Sequence, residues 1–192
     1  MFTMPHIDLP EGEPGIISLM VAFRESEKPL NALGQAVMCG PSSLTRAERE
    51  LIATYVSSGN ECRFCTNSHA AVARRLLGPK GDIVAQVLAD PESAPISEKM
   101  KALLVIADKV RRDGRLVTSA DVARARAAGA DDKALHDTVL IAAMFCMFNR
   151  YVDGLATWTP EDPAVYEAIG ERIATKGYGS RFREGPTPPM AD

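Results

Sequence analysis

The chain has 192 residues, 46% hydrophobic but only 6% aromatic, with a formal net charge of −3. That length suits one domain with a substantial core and the composition favours a helix-rich interior, while the mild acidity and lack of a basic stripe give no electrostatic basis for nucleic-acid binding. No apolar run nears the roughly 20 residues of a membrane span, and the N-terminus lacks the basic start and apolar core of a signal segment, so a soluble, cytoplasmic protein with no membrane partner is expected.

Residues 1–14 hold three prolines and little periodicity, and read as an extended N-terminal arm that packs on the body or on a neighbouring subunit. From Gly15 to Arg24 the apolar spacing of Ile16, Ile17, Leu19, Met20 and Phe23 predicts a short amphipathic helix. Leu30 to Cys39 predicts a second, ended by Gly40-Pro41. Thr45-Arg46-Ala47-Glu48 has the form of a capping box and opens a helix to about Ser57. Within it Glu48 is assigned to the cap, and Glu50, taken from the residues alone, is a solvated helix carboxylate.

Ser57-Ser58-Gly59-Asn60 interrupts the apolar pattern, so a new helix is expected from Glu61, running to Leu77-Gly78-Pro79. A short helix from Gly81 to Ala89 and one capped by Ser97 follow. Thr118 with Asp121 starts another, stopped at Gly129. Asp131 to Thr157 contains the run Val139 to Phe148, hydrophobic all round, which predicts a core helix buried on every side or sheathed by other subunits. Asn149 and Arg150 follow as polar groups that need partners near the thiol site or at an interface, with a structural role preferred. A last helix, Pro163 to Lys176, precedes a glycine- and proline-rich tail, 177–192, expected to be mobile or draped over a partner. Nothing alternates convincingly as a strand. The expectation is an all-α single domain of roughly eight helices over 15–176.

The most informative stretch is Glu61-Cys62-Arg63-Phe64-Cys65-Thr66-Asn67-Ser68-His69. On a helix, Cys62, Cys65 and His69 share one face. Thiols three positions apart can close a disulfide with little backbone movement, and an imidazole one turn beyond Cys65 can take its proton or stabilise its thiolate. The stretch is a candidate thiol redox centre. A zinc site would need two more ligands, and His6 and His136 lack the spacing, so no metal is expected. Inert buried thiols are the other alternative, although the interleaved polar residues favour a partly accessible helix start. Cys39 and Cys146, in apolar surroundings, read as structural. The helix dipole favours Cys62 as the more acidic thiol, whereas the spacing to His69 favours Cys65.

With Ala47-Glu48-Arg49-Glu50-Leu51-Ile52-Ala53, then Asn60-Glu61-Cys62-Arg63-Phe64-Cys65 and Ser68-His69-Ala70, and later Asp108-Lys109-Val110, Val139 to Ala142 and Asn149-Arg150, the chain resembles the alkylhydroperoxidase D-like branch of the carboxymuconolactone decarboxylase superfamily over about residues 44–155. The resemblance implies an AhpD-like helical fold, assembly into trimers or hexamers, and an antioxidant peroxidase that reduces hydroperoxides without haem, flavin or metal. It implies Cys65 as the peroxide-attacking thiol, Cys62 as its resolving partner, and His69 and Glu50 as a proton relay. That assignment replaces the solvated reading of Glu50. An external dithiol or carrier protein would regenerate the thiols. Phe64 stands where alkylhydroperoxidase D has a histidine, which implies a more apolar approach to Cys65 and weak or bulky-substrate activity. The cysteine pair argues against the lactone chemistry of the decarboxylase members. Two other functions use the same features: a thiol–disulfide reductase or adaptor, and a non-catalytic helical oligomer that senses oxidation or binds a ligand.

Overall fold

The computed structural model describes residues 4–179, and the N-terminal three residues and the 180–192 part of the expected tail lie outside it. Among the described residues there are nine α-helices and no strand: α1 (Ile16–Ala22), α2 (Arg24–Cys39), α3 (Arg46–Gly59), α4 (Arg63–Leu77), α5 (Ile83–Ala89), α6 (Glu98–Arg112), α7 (Ser119–Ala127), α8 (Asp132–Gly154) and α9 (Pro163–Lys176). Two 3₁₀ turns, Gly78–Lys80 and Gly114–Leu116, complete the set.

The sequence starts are realised as side-chain caps. Thr45 and Glu48, and Thr118 and Asp121, form reciprocal capping boxes, and Ser97 accepts from the Met100 amide. The second helix begins six residues earlier than its periodicity predicts, at Arg24 instead of Leu30. Pro29, the sixth residue of this helix, has no amide to bond the Glu25 carbonyl, so one rung of the ladder is missing there. Buried Glu27 accepts from Asn31 Nδ2 across that position at 2.6 Å.

The helix expected from Glu61 begins at Arg63, because α3 ends in a Schellman motif that occupies the intervening residues. The Cys62 amide donates to the Ser57 carbonyl at 3.1 Å and the Glu61 amide to that of Ser58 at 2.9 Å. Glu61 sits at the left-handed position with φ 61°. Cys62 is thereby the N-cap of α4, in extended conformation, and Cys65 lies in the first turn. The first-turn place that sequence reasoning gave to Cys62 belongs to Cys65.

Two apolar clusters form the core. One is built mainly from α2, α3, α5, α6 and α8, the other from α1, the start of α4 and α9. α3 packs chiefly on α4, and α4 on α9. The thiols belong to the second cluster, while Phe145 and Phe148 of α8 come from the first. α8 is not buried on every side of the single chain: Val139 is 40% and Met147 43% exposed, two turns apart on one face. The N-terminal arm is helix-free from residue 4 and tied to the body where the His6 amide donates to the Leu155 carbonyl at 3.0 Å.

Candidate active site

Five helices, α1, α2, α4, α8 and α9, and the segment after α9 meet around Cys65. Their side chains enclose a mainly apolar cavity of about 80 Å³. Cys65, Phe64, Ser68 and His69 of α4 form one wall, Ile16 and Met20 of α1 a second, and Phe145 and Phe148 of α8 a third. Glu27, Asn31 and Arg172 supply its polar margin. Phe64 is core and wall together. Its ring stacks obliquely on Tyr166 and lies so close beneath Gly15 that a Cβ there would meet it at 2.2 Å. Gly15, at φ 53°, is the residue that permits both the turn into α1 and this contact.

Cys62 and Cys65 are both free thiols, 3.2 Å apart. A bond of about 2.05 Å needs only a small local approach from there. They occupy different environments. Cys65 faces the cavity at 3% exposure, whereas Cys62 is fully buried behind it and absent from the cavity wall. The hydrogen bond between the two sulfurs, together with burial, pushes the Cys62 thiol well above the ordinary thiol range. A proton held on Cys62 is a proton available to a neighbouring thiolate.

Glu50 is 1% exposed and therefore not the solvated carboxylate that its residue type alone predicts. Its Oε2 lies 2.8 Å from His69 Nδ1. With the Nδ1 proton given to the carboxylate, Nε2 keeps its lone pair. His69 lies edge-on to Phe145, with ring centroids 4.5 Å apart, which fixes the plane of the imidazole. Thr54, one turn after Glu50, donates to the Glu50 carbonyl at 2.7 Å.

The two residues after the apolar run separate. Asn149 is buried, accepts from Asn60 Nδ2 at 2.8 Å and donates to Ser57 Oγ at 3.1 Å. It pins the chain that leads into Cys62. Arg150 is exposed, against the expectation of a partnered buried cation, and bonds its own helix at the Cys146 carbonyl. Cys146 packs partly buried beside Asn60, and Cys39 flanks the first core cluster. Among the described residues no group of three or more His, Cys, Asp or Glu side chains is placed to hold a metal ion.

Sequence reasoning missed Ser68 and Tyr178. Ser68 is buried with a hydroxyl that has no protein partner. Tyr178 falls in the stretch expected to be mobile, yet its amide donates to Gln35 Oε1 at 2.8 Å and its hydroxyl to Glu50 Oε1 at 2.7 Å. No local pattern marks it beyond the flanking glycines.

Free paired thiols at the mouth of a helix, backed by a buried carboxylate–imidazole pair in an all-α bundle, define an AhpD-like protein. Residues 24–109 match the carboxymuconolactone decarboxylase family, a span that includes Glu50, both thiols and His69. That match supports placing the chain in the AhpD/carboxymuconolactone decarboxylase superfamily. Its structure is similar to the alkylhydroperoxidase AhpD core of an uncharacterized peroxidase-related protein from Ralstonia eutropha, at 25% identity and TM-score 0.72, with 82% of this chain and 80% of that chain covered. It is likewise similar to an uncharacterized peroxidase-related protein from Silicibacter sp., at 26% identity and TM-score 0.72, covering 85% of this chain and 94% of the other. A protein of unknown function from Agrobacterium tumefaciens shares the fold at 22% identity and TM-score 0.66, over 77% of this chain and 99% of that chain. No curated protein matches the sequence.

Proposed function

We propose that the protein is a thiol peroxidase that reduces organic hydroperoxides with Cys65 as nucleophile and Cys62 as resolving thiol. The observation that carries the reading is the split between the two sulfurs: Cys65 faces an apolar cavity beside His69, and Cys62 lies directly behind it. The Glu50–His69 pair accepts the Cys65 proton, and the thiolate attacks the distal peroxide oxygen. The O–O bond breaks, leaving a sulfenic acid on Cys65 and an alkoxide that takes the relayed proton to depart as the alcohol. The Ser68 hydroxyl, which has no protein partner, is available to an oxygen of the bound substrate.

The Cys62 thiol then condenses with the sulfenic acid, which expels water and forms the disulfide. An external dithiol or carrier protein returns two electrons by exchange. The cavity walls of Ile16, Met20, Phe64 and Phe148 favour an alkyl or aryl hydroperoxide over hydrogen peroxide. This chemistry belongs to antioxidant defence in a reducing compartment such as the cytoplasm.

The test is peroxide consumption by the reduced protein, with hydrogen peroxide and cumene hydroperoxide compared under dithiothreitol. Turnover should favour cumene hydroperoxide and fall to background in Cys65→Ser. Glu50→Gln should lose about 10²- to 10⁴-fold, as removal of an acid–base group does. Ready disulfide exchange with no peroxide consumption would replace this reading with a reductase or adaptor.

A further inference from the structure

We propose that Tyr178 is a third member of the proton relay, a positioning residue whose phenol holds the Glu50 carboxylate, and through it His69, in the arrangement that activates Cys65. The proposal rests on the peroxidase reading above. Each Glu50 oxygen has its own partner: Oε1 accepts from Tyr178 Oη at 2.7 Å and Oε2 faces His69 Nδ1 at 2.8 Å. The phenol oxygen is also 3.2 Å from His69 Nδ1, and the two rings lie nearly parallel, 9° apart in plane with centroids separated by 6.2 Å. Tyr178 therefore fixes the carboxylate and covers the imidazole together.

The segment that delivers it is built for the purpose. Gly177, at φ 70°, turns the chain off the end of α9, where a Cβ would strike Gln35 Oε1 at 2.5 Å. That same oxygen accepts the Tyr178 amide. The phenol remains a donor, because burial first and the Glu50 charge second hold its pKa well above the ordinary tyrosine value.

The other charged groups around Glu50 do not replace it. Arg46 of α3 donates to the Ile173 and Ala174 carbonyls, and Arg49 of α3 to those of Val37 and Gly40. Asp137 of α8 acts on Arg49, Cys39 of α2 flanks Tyr178, and Glu27 and Arg172 sit at the cavity margin. Cys65 and His69 complete the ionisable neighbours from α4. Tyr178 is thus the neutral donor to a buried carboxylate that otherwise has only the imidazole.

Removing the phenol hydroxyl takes away one of the two partners of the Glu50 carboxylate and loosens its hold on His69. Tyr178→Phe, which keeps the ring, should move the acid limb of the kcat/KM profile for cumene hydroperoxide up by about one pH unit, the worth of one hydrogen bond to a charged group. Below that limb the variant should be roughly tenfold slower, with KM little changed. The same shift should appear in the pH dependence of Cys65 alkylation by iodoacetamide, read by mass spectrometry in a Cys62→Ser background. Alkylation needs no turnover, so it decides the role of Tyr178 even if the parent consumes no peroxide, a result that would sink the peroxidase reading by itself. Superimposable profiles for Tyr178→Phe and parent, in a variant that melts as the parent does, would overturn the proposal. Should Tyr178→Phe melt early, Gln35→Ala, which frees the Tyr178 amide and retains the phenol, should shift the alkylation profile the same way; an unshifted profile there would also overturn it.

Discussion

Cys62 sits in surroundings far from those of a free amino acid. Its thiol is fully buried and hydrogen-bonded to Cys65, and those two causes keep it protonated far into the alkaline range. The consequence for stability has a definite sign. Above the ordinary thiol pKa of about 8.5 the unfolded chain loses this proton while the folded chain retains it, so the folded state binds more protons and stability falls as pH rises. The contribution is fully present below that pH. The disulfide form has no such proton. Thermal melts from pH 7 to 10 should therefore show a steeper alkaline loss in the reduced protein than in the oxidised one, and parallel curves would contradict the assignment. Tyr178, also raised, acts in the same direction from about pH 10 upward but equally in both redox forms.

At the scale of elements, the join between α3 and α4 decides where the thiols sit. Its Schellman bonds place a non-glycine residue, Glu61, at φ 61° immediately before Cys62. Glu61→Gly should be neutral or stabilising by up to about 1 kcal/mol, because only the side chain resists that conformation. Glu61→Val should cost about 1–2 kcal/mol, since a branched Cβ resists it more. Urea unfolding midpoints would measure both, and a valine variant as stable as the parent would show that the left-handed turn carries no strain.

This join also shows why boundaries were harder to read than elements. The capping boxes at Thr45 and Thr118 are local, four-residue signals, and both were legible. The Schellman turn lacks its usual glycine, so Glu61 read as the first helical residue when it is the last residue of a turn. Glu50 shows a second limit. Its burial depends on α4 and on a tyrosine 128 positions away, and no local pattern carries that contact. Resemblance to the family pointed to Glu50, whereas the two thiols and His69 were legible from their own spacing. Tyr178 lay outside the stretch on which that resemblance rested, and two flanking glycines concealed it.

The whole molecule leaves one face unexplained by a single chain. Val139 and Met147 of α8 are among the largest exposed apolar side chains, and Ala143 lies exposed between them at helical spacing. A second copy of the chain is the occupant that the family resemblance implies, in a trimer or hexamer. Light scattering behind size exclusion should give a mass of three or six chains, and Val139→Glu with Met147→Glu should reduce it to one. A parent protein that already runs as a monomer would leave this face to another role. No helix among the described residues is long and apolar enough to cross a membrane.

The division of labour between the two sulfurs is the claim on which the rest depends. It is tested most directly by one stoichiometric addition of cumene hydroperoxide to reduced Cys62→Ser, followed by a sulfenic-acid-specific dione probe and peptide mass spectrometry. A single adduct on Cys65 is expected, with no adduct on Cys62 in the matching Cys65→Ser protein. Labelling of Cys62 in Cys65→Ser, with Cys65 unlabelled in Cys62→Ser, would reverse the assignment, and an absence of adduct in both would remove the peroxidase reading.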